Sequence, residues 1–131
     1  MSRAIGFILV LFVAIIPLYA CGESTAPTSK DVPGSYHIVA LNGKLLPAIV
    51  NDSLTIVSSS MVLGSDDSYN ETITYSRFGV QSQQTFGGIY SSDGRIVVIE
   101  AHGFTFHLYV QDKSTLIEND ANGIVIYRKE N

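Results

Sequence analysis

Tryptophan is absent from this chain of 131 residues, and cysteine occurs once, at position 21. No disulfide can form within the chain, so any fold must be held by its own core. Charge is also sparse at 15% of residues, and it leans acidic, with 8 Lys+Arg against 12 Asp+Glu. A nucleic-acid partner would require a basic patch, which this composition does not supply. The same balance opposes electrostatic docking onto anionic lipid. Beyond residue 34 no window shows helical periodicity, which excludes folds built on crossover helices.

Catalytic and metal-binding patterns are missing as well. The three histidines, His37, His102 and His107, are not joined by a close-spaced set of Cys, Asp or Glu of the kind zinc requires. Asp66, Asp67 and Glu71 cluster in GSDDSYNE, but their spacing fails the EF-hand pattern, and an ordinary solvated turn is expected. Two glycosylation sequons begin at Asn51 and Asn70. No serine sits in a Gly-flanked nucleophile pattern. The sequence thus points to a protein that is not an enzyme, with no catalytic residue, cofactor or metal assigned.

What is present begins at the N-terminus. Arg3 is followed from Ala4 to Ala20 by residues without a single charge, with Pro17 near the end. A charged start, a short apolar run and small residues before a cut describe a secretory signal peptide. Leu18-Tyr19-Ala20-Cys21 resembles the lipobox of bacterial lipoproteins, with Tyr where a small or β-branched residue is usual. That resemblance implies cleavage before Cys21 and a diacylglycerol thioether on it, hence a membrane partner reached through lipid. Gly22 after the cysteine, rather than Asp, implies the outer membrane by the same resemblance. Residues 22–33 are polar with two prolines and read as a flexible tether. The expected division is therefore 1–20 signal peptide, 21–33 lipidated cysteine and tether, and 34–131 folded domain. Loss of residues 1–20 removes Arg3 alone among the charged residues, leaving 7 Lys+Arg against 12 Asp+Glu, a formal −5.

From Gly34 onward short runs rich in Val, Ile, Thr, Tyr and Phe alternate with turn residues, the mark of an all-β chain. Expected strands are Ser35–Leu41, Ser53–Ser58, Ser60–Leu63, Tyr69–Phe78, Gln83–Tyr90, Arg95–Glu100, Phe104–Val110, Ser114–Glu118 and Ile124–Lys129. Asn42-Gly43 is a two-residue hairpin signal, and Pro47 breaks the stretch that follows. The short spacing forces antiparallel neighbours, giving a single meander of eight or nine strands. Closure into a small barrel would remove the sheet edges; a two-sheet β-sandwich is the alternative. Alternation assigns Phe104, Phe106, Leu108 and Val110 to one inward face, opposite Thr105, His107 and Tyr109. Ile96-Val97-Val98-Ile99 and Ile124-Val125-Ile126-Tyr127 are apolar on both faces. Their outer halves need a covering loop, a partner or a second sheet.

Gly34-Ser35-Tyr36 with Asn42-Gly43-Lys44-Leu45-Leu46-Pro47, and the closing Val125-Ile126-Tyr127-Arg128, resemble the small lipocalin-like and META-type bacterial lipoproteins. The resemblance implies a barrel whose first-strand aromatic, Tyr36, closes one end under a basic residue of the last strand, Arg128. It also implies a non-enzymatic envelope protein that binds a small apolar ligand or lipid inside the barrel, with Phe104, Phe106, Leu108 and Val110 as candidate lining. The other class left open is an interaction module, an inhibitor or assembly subunit, with a core filled by side chains and another envelope protein as partner. A hydrolase would need a pocket holding a titratable pair, which the sequence does not assemble.

Overall fold

The structure, a computed structural model, describes residues 26–121 and 123–131. The signal peptide, Cys21 and Asn122 of the last expected turn lie outside the described residues. Ten strands follow one another: β1 (Gly34–Leu41), β2 (Lys44–Leu45), β3 (Ala48–Asn51), β4 (Leu54–Leu63), β5 (Ser68–Arg77), β6 (Val80–Ser92), β7 (Ile96–Ala101), β8 (Phe104–Asp112), β9 (Thr115–Asp120) and β10 (Gly123–Lys129). They form one antiparallel sheet in the order β2-β1-β10-β9-β8-β7-β6-β5-β4-β3, and β1 also pairs with β4. That last pairing closes eight strands into a barrel, with β2 and β3 as extra pieces, and it excludes the sandwich.

One expected break is absent. Ser53–Ser58 and Ser60–Leu63 form a single strand, β4, because a bulge between Ile56 and Ser58 absorbs the irregular residue without ending the ladder. β1 pairs with β4 only from Gly34 to Tyr36, against Leu63 to Met61, after which the two strands splay. The Ser59 hydroxyl then accepts a hydrogen bond from the Ile38 N–H at 3.0 Å, spanning the gap. β2 and β3 occupy the edges that the splaying exposes, so no long bare edge remains at the seam.

The strand directions give the barrel two different ends. One end carries the turns Asn42-Gly43, Phe78-Gly79 and His102-Gly103, each with positive φ at both residues. Such turns match the twist of the strands they join. At the other end aspartates cap the turns. Asp66 Oδ1 accepts from Ser68 N, Asp93 Oδ1 from Arg95 N and Ile96 N, and Asp112 Oδ1 from Ser114 N.

The aspartate end is closed. Tyr36 is 1% exposed, and its hydroxyl donates to the Val32 carbonyl at 2.6 Å. A 3-10 turn, Ser29–Asp31, leads into Val32, itself 1% exposed. Thr28 and Pro27 lie against Gly94, where an added Cβ would meet Thr28 backbone at 2.9 Å. The stretch expected as tether therefore contributes its last residues to the folded unit. The basic lid is Lys129, not the expected Arg128. Cross-strand pairing sets Lys129 opposite Tyr36 and Arg128 opposite His37, so Arg128 falls on the exposed outer face. Lys129 Nζ lies 5.6 Å from the Tyr36 ring centre and donates to the Asp31 carbonyl. Gly34 lies beneath it at φ 153°, a conformation side chains rarely adopt, and a side chain there would displace the lysine stem.

Inward faces follow the expected alternation. Val97, Ile99, Leu108, Leu116 and Tyr127 are buried, and every residue of the core cluster lies between Val32 and Tyr127. Phe104 departs from its expected place. It begins β8 at the open end and is 67% exposed, stacked on Phe106 with ring centres 6.4 Å apart. Phe106 and Val110 are half-buried. The two-faced strands place Ile96 and Ile126 outward in a row that crosses the outer wall. Direct pairs run Ile96 to Tyr109, Tyr109 to Ile117, Ile117 to Ile126, Ile126 to Ala40 and Ala40 to Leu45.

Candidate functional site: an apolar cavity with two inward carboxyls

The core does not fill the barrel. Between the packed closed end and the open end lies a cavity of about 300 Å³. Ile38, Leu41, Ile56, Met61, Ile73, Phe86, Ile99, Phe106, Leu108 and Val125 supply its apolar wall. Two of the four expected lining residues are there, Phe106 and Leu108. Phe104 stands at the mouth and Val110 lies toward the closed end, one strand repeat beyond Leu108. Leu41 lines the cavity because the register changes before it. A register shift between Ile38 and Ala40 moves Ala40 to the outer face and Leu41 opposite Val125 on the inner one.

Four polar side chains share the cavity, Glu71, Glu118, Tyr69 and Tyr127. Glu71 sits on β5 between Tyr69 and Ile73 on the inward face, and is only 6% exposed. The Tyr69 hydroxyl donates to Glu71 Oε1 at 3.0 Å, while Glu71 Oε2 has no hydrogen-bond partner among the described residues. Burial raises the Glu71 pKa above the usual carboxylate range, against the hydrogen bonds from Tyr69 and Tyr127, which favour the charged form. Glu118 is inward on β9, paired with Leu108 on one side and Val125 on the other. Burial, the hydrogen bond and charge of Asp120, and the charge of Glu71 push it up to about 7. Tyr127 is raised well above its ordinary value, first by burial and then by the two glutamates.

Sequence reasoning placed Glu71 in an acidic turn and did not single out Glu118. Glu71 is separated from Asp66 and Asp67, which remain in the exposed turn at the closed end. The signal was available in strand parity, since Tyr69, Glu71, Ile73 and Tyr75 alternate with Asn70, Thr72 and Thr74. A carboxyl in that inward series is what parity alone would have flagged. The histidines do not converge on the cavity. His37 lies near Glu130 on the outside, with Nδ1 3.6 Å from a carboxylate oxygen. His102 occupies the β7–β8 turn against the Phe86 edge, and His107 is exposed on the outer face of β8.

The mouth is apolar. Phe78 at the β5–β6 tip is 81% exposed and Val80 68%, with Phe104 also at this end. β6 is paired with β7 only from Gly88 to Ser92, so its first half projects with β5 beyond the barrel rim. Comparison with protein families, with curated proteins and with solved structures found no match to this chain.

Proposed function

We propose that the chain is a bacterial envelope lipoprotein, anchored through lipid on Cys21 in the outer membrane, whose barrel binds a small apolar ligand without transforming it. The observation that carries this reading is the cavity of about 300 Å³, with apolar walls and an apolar rim. An engineered apolar cavity of about half that volume holds benzene, so roughly a dozen heavy atoms are accommodated here. A side-chain-filled core, the other reading of a small barrel, leaves the open half of this one without occupants. The carboxyl pair also supplies the titratable pocket a hydrolase would need. Its surroundings favour binding, because apolar walls give a sugar or peptide few hydrogen-bond partners and both carboxyls are shifted toward neutrality.

The chain passes into the described fold at the closed end, where Pro27 and Thr28 lie on Gly94. With Cys21 as anchor, that end faces the membrane and the mouth faces away from it. The test is native mass spectrometry of the chain from Gly22 onward, which carries the whole core, before and after incubation with envelope extract. A discrete added mass on the monomer is expected. A bare monomer under both conditions would sink the reading.

The interaction-module reading keeps one observation in its favour, the outer row from Ile96 to Leu45 across six strands. If that row is an interface, Ile126→Lys changes the oligomer mass in solution. Val97, by contrast, is wholly buried inside, so only Val98 and Ile96 test that strand's outer face.

A further inference from the structure

We propose that the cavity selects ligands by a hydrogen-bond-donating, cationic head, so that its guest is an apolar primary or secondary ammonium rather than a fatty acid or an alcohol. This rests on the ligand-binding reading above. It follows from which polar groups line the cavity and which are already engaged.

No Lys, Arg or His is among the residues lining the cavity, whereas two glutamates are. A carboxylate or phosphate head would lose its water inside an apolar wall and, above the value of about 7 to which Glu118 is raised, meet like charge with no cation to offset it. The donors are engaged too. Tyr69 gives its hydroxyl proton to Glu71 Oε1, and Tyr127 shares the cavity with that carboxyl. What remains without a partner is Glu71 Oε2, an acceptor once that carboxyl is ionised, on a residue only 6% exposed. A buried, unsatisfied acceptor is costly, and a guest that supplies an N–H relieves it. An ammonium also brings the positive charge that the glutamates lack, and its bond to a carboxylate is charge-assisted. Glu118, between Leu108 and Val125 on the neighbouring strands, is the second carboxyl, hydrogen-bonded to Asp120 toward the mouth. The apolar remainder of such a guest fits the Phe86, Phe106 and Ile99 walls.

The deciding experiment is calorimetric titration at pH 8 of the chain from Gly22 onward with three probes of equal chain length: octylamine, 1-octanol and octanoate. Octylamine is expected to bind at least ten-fold more tightly than octanol, and octanoate at least ten-fold more weakly than octanol. Glu118→Gln and Glu71→Gln should each bring octylamine to within about three-fold of octanol on the same variant. Octanoate binding as tightly as octylamine would overturn the proposal. Octanol matching octylamine on the unaltered protein would overturn the head-group selection and leave an apolar-ligand barrel standing. No heat with any probe, together with no added mass from envelope extract, would remove both. Should a glutamine variant lose its native circular dichroism, the three-probe comparison on the unaltered chain still decides.

Discussion

The two ends of the barrel are built from the same alternating strands and come out as opposites. At the closed end the inward positions hold Tyr36, Leu63 and Val97, each at most 1% exposed, and the N-terminal segment lies across them. At the open end the inward positions hold half-buried Phe106, Ile73 and Val125 around a cavity. The turns differ in the same way, aspartate-capped at one end and built on left-handed residues at the other. One end supplies stability, and the other leaves apolar surface and carboxyls unspent for a guest.

The largest effects should therefore come from the closed end. Tyr36→Ala removes a buried ring and the hydrogen bond to Val32, and is expected to cost about 3–5 kcal/mol. Phe106→Ala, at the cavity wall, should cost about 1 kcal/mol, because its ring is half in the open and leaves little new void. For a domain of this size 1 kcal/mol corresponds to roughly 4–8 °C in Tm. Thermal unfolding of both variants checks the contrast, and equal losses would break it.

A second contrast is electrostatic. At the closed end Asp66 accepts from the Ser68 hydroxyl and then its N–H, and Asp93 from the Ile96 and Arg95 N–H groups, which holds both pKa values below the ordinary range. Their contribution is present above the unfolded carboxyl value of 3.8 and is lost as the pH falls. Glu118 and Glu71 at the cavity are shifted the other way. Between 4.5, the unfolded value, and about 7, folded Glu118 keeps a proton that the unfolded chain has released. Stability thus falls as the pH rises through that window, by on the order of 1–2 kcal/mol once solvent screening of this half-buried group is allowed for. Urea unfolding at pH 4.5 and 7.5 should show the higher stability at 4.5, and Glu118→Gln should flatten the difference. Stability that climbs steadily to 7.5 would show that the cavity carboxyls ionise without penalty.

The rim offers a smaller effect of opposite sign. Phe78 adopts φ 51°, a left-handed conformation that costs a bulky residue about 1–2 kcal/mol, and its ring is 81% exposed. Phe78→Asn, which gives the turn its preferred Asn-Gly pair, should raise stability by about 1 kcal/mol. If the rim guides apolar guests, the same variant should slow their association. A gain in stability with unchanged binding would make Phe78 an idle residue at the mouth.

Most of the architecture was legible because alternation and turn chemistry are local. Asn42-Gly43 and the turn residues around Asp93, His102 and Asp112 lie between strands where the structure has them, and the inward parity of β1, β7 and β8 holds. Three things were not legible. The register shifts near Val39 and Val57 leave no residue signature, yet they decide that Leu41 lines the cavity and that β4 runs unbroken. The cavity itself depends on how far opposing side chains reach, which no single strand encodes. The glutamates were hidden by the habit of assigning acidic residues to solvent, although Glu71 shares its parity with Tyr69 and Ile73.

The choice between Arg128 and Lys129 is the same lesson at one residue's resolution, and it gives the smallest expected effect. A basic residue near the end of β10 was foreseen over Tyr36, but a slip of one position reverses the face on which it stands. Lys129→Met keeps an apolar stem of similar length against Gly34 and removes the ammonium that touches the Tyr36 ring and the Asp31 carbonyl. The expected cost is about 0.5–1 kcal/mol, the range of a partly exposed cation–π contact. Arg128→Met, on the exposed outer face beside His37, should change stability by less than about 0.5 kcal/mol. Reversal of that order in paired denaturant titrations would shift the register of β10 by one residue. Tyr127 would then leave Glu71, and the cavity would lose the wall on which its ligand preference depends.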